Sequence, residues 1–193
     1  MKHFLIRLLA RSLLPLLLLP LSLLALTGCQ STAFPPIALA KDVDLQRFMG
    51  DWHVIANIPT FIEKGAHNAV ESYRLAPDGT IETTFTFRDG GFDGAEKRYH
   101  PRGYVQPQSG NAVWGMQFVW PFKADYRIAY VDRDYRVTVV AREKRDYIWI
   151  MARETQIPEA DYQKLIGFAA GHGYDVSKIE RVPQSWSRPK ESP

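Results

Sequence analysis

Between residues 51 and 153, apolar and polar side chains alternate with a period of two in one short run after another. That period marks strands whose two faces meet different surroundings. The run 80–88 is the cleanest: Ile81, Thr83, Phe85 and Phe87 take one side, and Glu82, Thr84, Thr86 and Arg88 the other. Runs at 51–58, 69–75, 98–106, 112–120, 126–131, 136–143 and 147–153 bring the total to about eight strands at close spacing. Turn residues follow most of them. In Ala76-Pro77-Asp78-Gly79 the proline fixes φ and the glycine supplies a left-handed residue, and Asp89-Gly90-Gly91 ends the next run.

The period changes only after residue 157. Pro158 suits the first turn of a helix, Glu159 and Asp161 follow it, and Gly171 and Gly173 close it. Tyr162, Leu165, Ile166 and Ala169 then form one apolar stripe. This order predicts an all-β chain: an eight-stranded antiparallel up-and-down β-barrel with one C-terminal helix packed on its wall. Closure removes the unpaired strand edges that invite aggregation.

Ahead of the strands lies a leucine-rich stretch, 13–26, preceded by Lys2, Arg7 and Arg11 and by no acid. A basic start, an apolar middle and a small-residue exit make the layout of a secretion signal. An uncleaved span is the alternative, but the stretch is short of the roughly 20 apolar residues a span needs, and Pro15 and Pro20 interrupt it. The exit, Leu26-Thr27-Gly28, is followed by Cys29, the one cysteine of the chain. This arrangement resembles the lipobox of bacterial lipoproteins. The resemblance implies a signal over 1–28, an acylated Cys29 at the mature N-terminus and anchorage to an envelope membrane. Gln30 stands where inner-membrane retention signals carry Asp, which favours the outer membrane of a Gram-negative cell. Residues 29–41, with Pro35 and Pro36, read as a tether, 42–183 as the barrel domain and 184–193 as a flexible tail.

The formal charge of +3 resides entirely in the signal, so the segment after Gly28 is formally neutral. It has no basic run to suggest nucleic acid as a partner. A lone cysteine excludes an intramolecular disulfide, a zinc–cysteine cluster and, once acylated, a thiol nucleophile.

Phe48-Met49-Gly50-Asp51-Trp52-His53-Val54-Ile55-Ala56 opens the first strand and resembles the Gly-x-Trp signature of lipocalins. Val131-Asp132-Arg133-Asp134-Tyr135, between the sixth and seventh strands, is similar to the second lipocalin motif, with Arg133 where Thr is common. Trp149-Ile150-Met151-Ala152-Arg153 resembles the third. Three motifs in order, with a helix after the last, cover nearly the whole segment after Cys29. Glu63-Lys64-Gly65 and Gly173-Tyr174-Asp175-Val176-Ser177-Lys178 look closest to the bacterial outer-membrane lipoprotein lipocalins. The resemblance implies structural roles for Gly50, Trp52 and Arg153: the indole plugs the closed end of the barrel, and the guanidinium covers it and donates to nearby carbonyls.

Strand parity predicts the interior. From Trp52 it places Val54 and Ala56 inside, and from Arg153 it places Trp149 and Met151 there. Ile81, Thr83, Phe85 and Phe87 on the third strand, Trp114, Met116 and Phe118 on the fifth, and Tyr126, Ile128 and Tyr130 on the sixth complete an aromatic-rich interior. Phe61 lines the mouth by resemblance. Glu71 shares parity with Tyr73 and points inward, unless a bulge turns it to solvent. His100 and Arg102 read as outward and solvated, and a register one residue off makes them head-group ligands. A barrel of this size either holds one small ligand or is filled by its own side chains. The resemblance favours a cavity for single-chain lipids, fatty acids such as palmitate or lysophospholipids, and implies their storage or transport.

Catalysis and metal binding find little support. His53, His67, His100 and His172 are scattered, no Gly-x-Ser-x-Gly elbow is present and no glycine-rich phosphate loop follows a strand. No cofactor, metal ligand or catalytic residue is expected. The alternatives are a filled barrel acting as an envelope interaction module and, third, a lipid-modifying enzyme.

Overall fold

The computed structural model describes residues 34–185 and gathers the alternating runs into one antiparallel sheet. Its strands are β1 (Gly50–Ile58), β2 (Ala66–Leu75), β3 (Ile81–Asp89), β4 (Glu96–Tyr99), β5 (Arg102–Val105), β6 (Val113–Val119), β7 (Phe122–Val131), β8 (Val137–Ala141), β9 (Ile148–Ala152) and β10 (Glu180–Arg181). Helix α1 (Leu45–Phe48) precedes them, and α2 (Glu159–Gly171) follows β9. The ring closes where β1 pairs with β9, His53 opposite Ala152 and Ile58 opposite Ile148. β4 and β5 are two halves of one stave, so β1–β9 form a closed eight-stranded barrel. The sequence reads that stave as the continuous run 98–106. It breaks at His100-Pro101, because proline has no N–H for the ladder. β4 bonds to β3 but not to β6, which leaves the wall unpaired there.

Two apolar layers hold the barrel. The inner one contains Trp52, Val54, Tyr73, Ile81, Phe85, Trp114, Ile128 and Met151. The outer one packs Ile55, Ala56, Val139 and Ile150 of the wall against Tyr162, Leu165 and Ala169 of α2. The predicted helical stripe is therefore the face that α2 buries, with Ile166 half-buried at its margin.

Two inward assignments are corrected by β-bulges. The register of β1 against β9 shifts between Val54 and Ala56: Val54 faces Met151 inside, whereas Ala56 faces Ile150 under the helix. The register of β7 against β8 shifts between Ile128 and Tyr130, and Tyr130 packs against Phe168 of α2, ring centres 5.7 Å apart. One extra residue inverts every later side chain on a strand, and strict alternation cannot foresee it.

The flanks are more ordered than their composition suggests. Within the tether reading of 29–41, Ile37 is buried in the outer layer, and the Ala40 amide donates to the Ile128 carbonyl at 2.9 Å. Of the tail 184–193, the side-chain amide of Gln184 donates to the Val54 carbonyl at 2.8 Å, and the Ser185 amide donates to Asn68 Oδ1 at 2.7 Å. Signal residues 1–28, Cys29 and the tail beyond 185 lie outside the described residues.

Candidate functional site

The two ends of the barrel differ. At the closed end the Asp44 carboxylate caps α1, accepting from the amides of Gln46 (2.9 Å) and Arg47 (3.2 Å). The helix ends on Phe48, whose carbonyl accepts from the Trp52 indole at 2.8 Å. Arg153 lies over the Trp52 ring at 3.8 Å and donates to the carbonyls of Asp51 (2.7 Å), Arg47 (2.9 Å) and Met49 (2.9 Å). Burial lowers its pKa, yet it stays charged. Gly50 is required beside it. Its φ is +93°, and a β-carbon there would sit 3.4 Å from the Arg153 guanidinium. Phe48, Tyr73 and Trp114 complete the plug, and Trp114 stacks on Tyr126 at 4.9 Å.

Above the plug the barrel is hollow. A cavity of about 480 Å³ opens at the other end, within the roughly 300–1,000 Å³ of small-molecule sites. Of the residues expected to meet a ligand, Phe61, Glu71, Phe85, Met116, Phe118, Tyr126 and Trp149 line it. Val54 and Tyr73 face inward but lie in the filled part of the interior. Phe87 is also buried there, tilted against Phe85 (5.3 Å) and stacked on Tyr99 (6.2 Å), without reaching the cavity. Ala56 and Tyr130 are on the helix side of the wall, as the bulges dictate.

Parity did not identify Glu63, Tyr99, His100, Arg142 and Tyr147, which line the cavity as well. His100 stands at the cavity rim where the break at Pro101 suspends the alternation. It is exposed, with its ring Nδ1 3.3 Å from the Thr84 hydroxyl on the outer face of β3, and Arg102 likewise keeps the expected outward face and meets Glu82 at 3.5 Å. Glu63 lies in a loop, where periodicity carries no information. Its carboxylate accepts from the Trp149 indole at 2.7 Å and from the Thr60 amide at 3.0 Å, which fixes the loop over the mouth.

The polar end of the hollow is a chain of three groups. Tyr73 Oη donates to the Glu71 carboxylate, and the hydroxyls of Tyr73 and Tyr126 are 2.7 Å apart. Burial is the main force on all three. It pushes Glu71 up to about 7, against the lowering effect of the Tyr73 hydrogen bond and with a further upward push from the Glu63 charge. Burial and then the Glu71 charge raise both phenols well above 10, so they remain neutral donors.

At the rim Phe61, Val119, Trp120 and Phe122 are exposed, Trp120 at 81%. The described chain also begins near this end. The Arg145 guanidinium, in the turn between β8 and β9, donates to the Pro35 carbonyl and lies 5.4 Å from the Phe34 ring.

Residues 43–184 match the sequence pattern of the lipocalin-like domain. The chain belongs to the lipocalin family. Temperature-induced lipocalin-1 of Arabidopsis thaliana is 31% identical over 166 residues, which are 80% of this chain and 86% of that protein. Outer membrane lipoprotein Blc of Escherichia coli (strain K12) is 29% identical over 186 residues, 91% of this chain and 99% of that one. Among solved structures, insecticyanin from the tobacco hornworm Manduca sexta superposes with a TM-score of 0.61 at 15% identity, over 79% of this lipocalin and 86% of insecticyanin. That likeness concerns the fold alone. Membership of the family implies binding of small hydrophobic ligands, and the hollow is where the fold offers room for one.

Proposed function

We propose that this lipocalin is a lipid-anchored binding protein of the Gram-negative outer membrane. It takes up single-chain lipids, fatty acids or lysophospholipids, and stores or carries them without altering them. The observation that carries this reading is the open cavity of about 480 Å³, walled by Phe61, Phe85, Met116, Phe118 and Trp149. Each methylene buried there is worth about 0.8 kcal/mol, so ten or so hold a chain without directed contacts. The name of the Escherichia coli relative, an outer membrane lipoprotein, supports the location, and Cys29 after its apolar leader supports the anchor.

The same reading turns the mouth toward the bilayer. Four residues separate Cys29 from Phe34, and Phe34 lies beside the turn between β8 and β9 at the open end. Extended, such a link reaches no more than about 18 Å. Phe61, Trp120 and Phe122 project at that same end.

The test uses protein purified without its signal and stripped of lipid. Lysophosphatidylcholine quenches tryptophan fluorescence, with Trp149 as the reporter, and Met116→Trp abolishes the binding while the barrel stays folded. A barrel that shows no quenching with any single-chain lipid and unfolds on Met116→Trp is a filled one, and the reading fails. Lipidomic recovery of chemically changed lipid after incubation favours an enzyme instead.

A further inference from the structure

The cavity wall carries an acid where a receptor for carboxylates would carry a base. Glu71 faces Trp52 of β1 and Phe85 of β3 across the ladders, and Tyr73 and Tyr126 beside it. Among the described residues no ion pair involves it. One carboxylate oxygen accepts from Tyr73, the near end of a relay that runs on to Tyr126. The carboxylate therefore sits in apolar surroundings with acceptor capacity directed at the hollow.

The other acceptors around the hollow are occupied, and the cations lie at its mouth or rim. Glu63, in the loop over the mouth, is occupied by Trp149 and Thr60. Asp125, on β7, accepts from Arg127 at 2.9 Å and from the Glu143 amide at 2.8 Å. Arg142, in the turn after β8 at the mouth, pairs with Asp146 at 3.3 Å through one terminal nitrogen and keeps its buried Nε–H without a hydrogen-bond partner, a donor for an anionic group at the mouth. His100 lies at the break between β4 and β5 with its Nδ1 3.3 Å from the Thr84 hydroxyl on the outer face of β3, and Tyr99 and Tyr147 are the remaining phenols of the wall. The acceptor left for a ligand is Glu71.

We propose that Glu71, backed by Tyr73 and Tyr126, is a recognition site for a hydrogen-bond donor, an ammonium or a hydroxyl, on the buried end of a chain-bearing amphiphile. The inference rests on the cavity reading above and specifies what it accepts. A carboxylate at that depth meets repulsion. A hydroxyl gains one hydrogen bond, and an ammonium gains a charge-assisted one in a medium that strengthens it. Fatty acids and lysophospholipids then enter tail first and leave their anionic groups at the mouth.

The raised pKa of Glu71, about 7, adds a pH signature. An ammonium needs the ionised acid, whose fraction rises about tenfold from pH 6 to pH 8 for such a group. A hydroxyl binds either form.

Calorimetric titration of delipidated protein with decylamine and with 1-decanol, at pH 6 and pH 8, tests this. Decylamine is expected to bind about tenfold tighter at pH 8, and 1-decanol equally at both. Glu71→Gln removes the pH dependence and weakens decylamine at pH 8 at least tenfold, yet it keeps 1-decanol within threefold. His100→Asn retains the tenfold rise. Should 1-decanol bind while decylamine ignores both pH and Glu71→Gln, the donor site is wrong and the cavity reading stands. The donor site is equally wrong if His100→Asn abolishes the rise. Should neither compound bind the wild-type protein, the cavity reading fails and takes this inference with it.

Discussion

The closed and open ends of this barrel are built from the same strands and similar residues, yet one is full and the other empty. At the closed end Phe48, Trp52, Tyr73 and Trp114 meet at ring separations of 5.0–5.7 Å, and Arg153 ties the backbone of α1 and β1 over them. At the open end Phe61, Phe118 and Trp149 surround a void, and the rim residues Trp120 and Phe122 are exposed. Aromatic content does not separate the two. Closure does: the plug has a helix, a guanidinium and a left-handed glycine to bring the chain across the axis. The mouth has loops, an unpaired flank of β4 and a bulge between Met116 and Val119. Stability is thus concentrated at one end, which leaves the other available for binding.

The sharpest test of that division is Trp52→Ala. It deletes a fully buried indole whose N–H bonds to Phe48 and whose face supports Arg153. The expected loss is about 3–5 kcal/mol, read from the urea midpoint. A loss below about 1 kcal/mol would mean that the plug is not where the stability lies. Arg153→Lys follows at about 1–3 kcal/mol, because an ammonium cannot donate in the plane to the carbonyls of Arg47, Met49 and Asp51 together.

Glu71 joins the two ends, and it carries a pH test. In the native barrel it holds its proton up to about pH 7, whereas the unfolded chain releases it near 4.5. The folded protein therefore binds more protons between these values. Its stability contribution is complete below pH 4.5 and is lost as pH rises through 7. Glu71→Gln, permanently neutral, should match the wild type at pH 4 and exceed it at pH 8 by about 2–3 kcal/mol in denaturant unfolding. Equal stabilities at pH 8 would place an uncounted donor beside the carboxylate.

The contrast between ends also explains what the sequence made legible. Gly50, Trp52 and Arg153 stand in a fixed spatial relation that recurs with the motif, so the closed end could be read from three short stretches. Strand order and α2 followed from the period, because burial of one face dictates it. The open end obeys no such rule. Ala56 and Tyr130 crossed the wall through single-residue bulges, His100 came to the cavity rim at a proline break, and Glu63 came from a loop. Helix α1 was missed, since four residues are too few to show a period. Only Asp44 ahead of them, a favoured capping residue, signalled it.

The smallest expected effect on stability belongs to the rim, and it is the most informative about function. Trp120→Ser and Phe122→Ser remove side chains that are 81% and 76% exposed, so the urea midpoint should move by no more than about 0.5 kcal/mol for either. If the mouth faces a bilayer, both changes strip apolar surface from the contact. Tryptophan is the residue whose amphipathic ring suits the headgroup region. Protein lacking the N-terminal lipid should then float with phosphatidylethanolamine–phosphatidylglycerol vesicles more weakly in the double variant than in the wild type, by severalfold at equal lipid. Its affinity for soluble lysophosphatidylcholine should hold within about twofold, because neither residue lines the cavity. Loss of lysolipid binding with unchanged flotation would reverse the assignment, making the rim part of the binding site and leaving membrane contact to the anchor at Cys29.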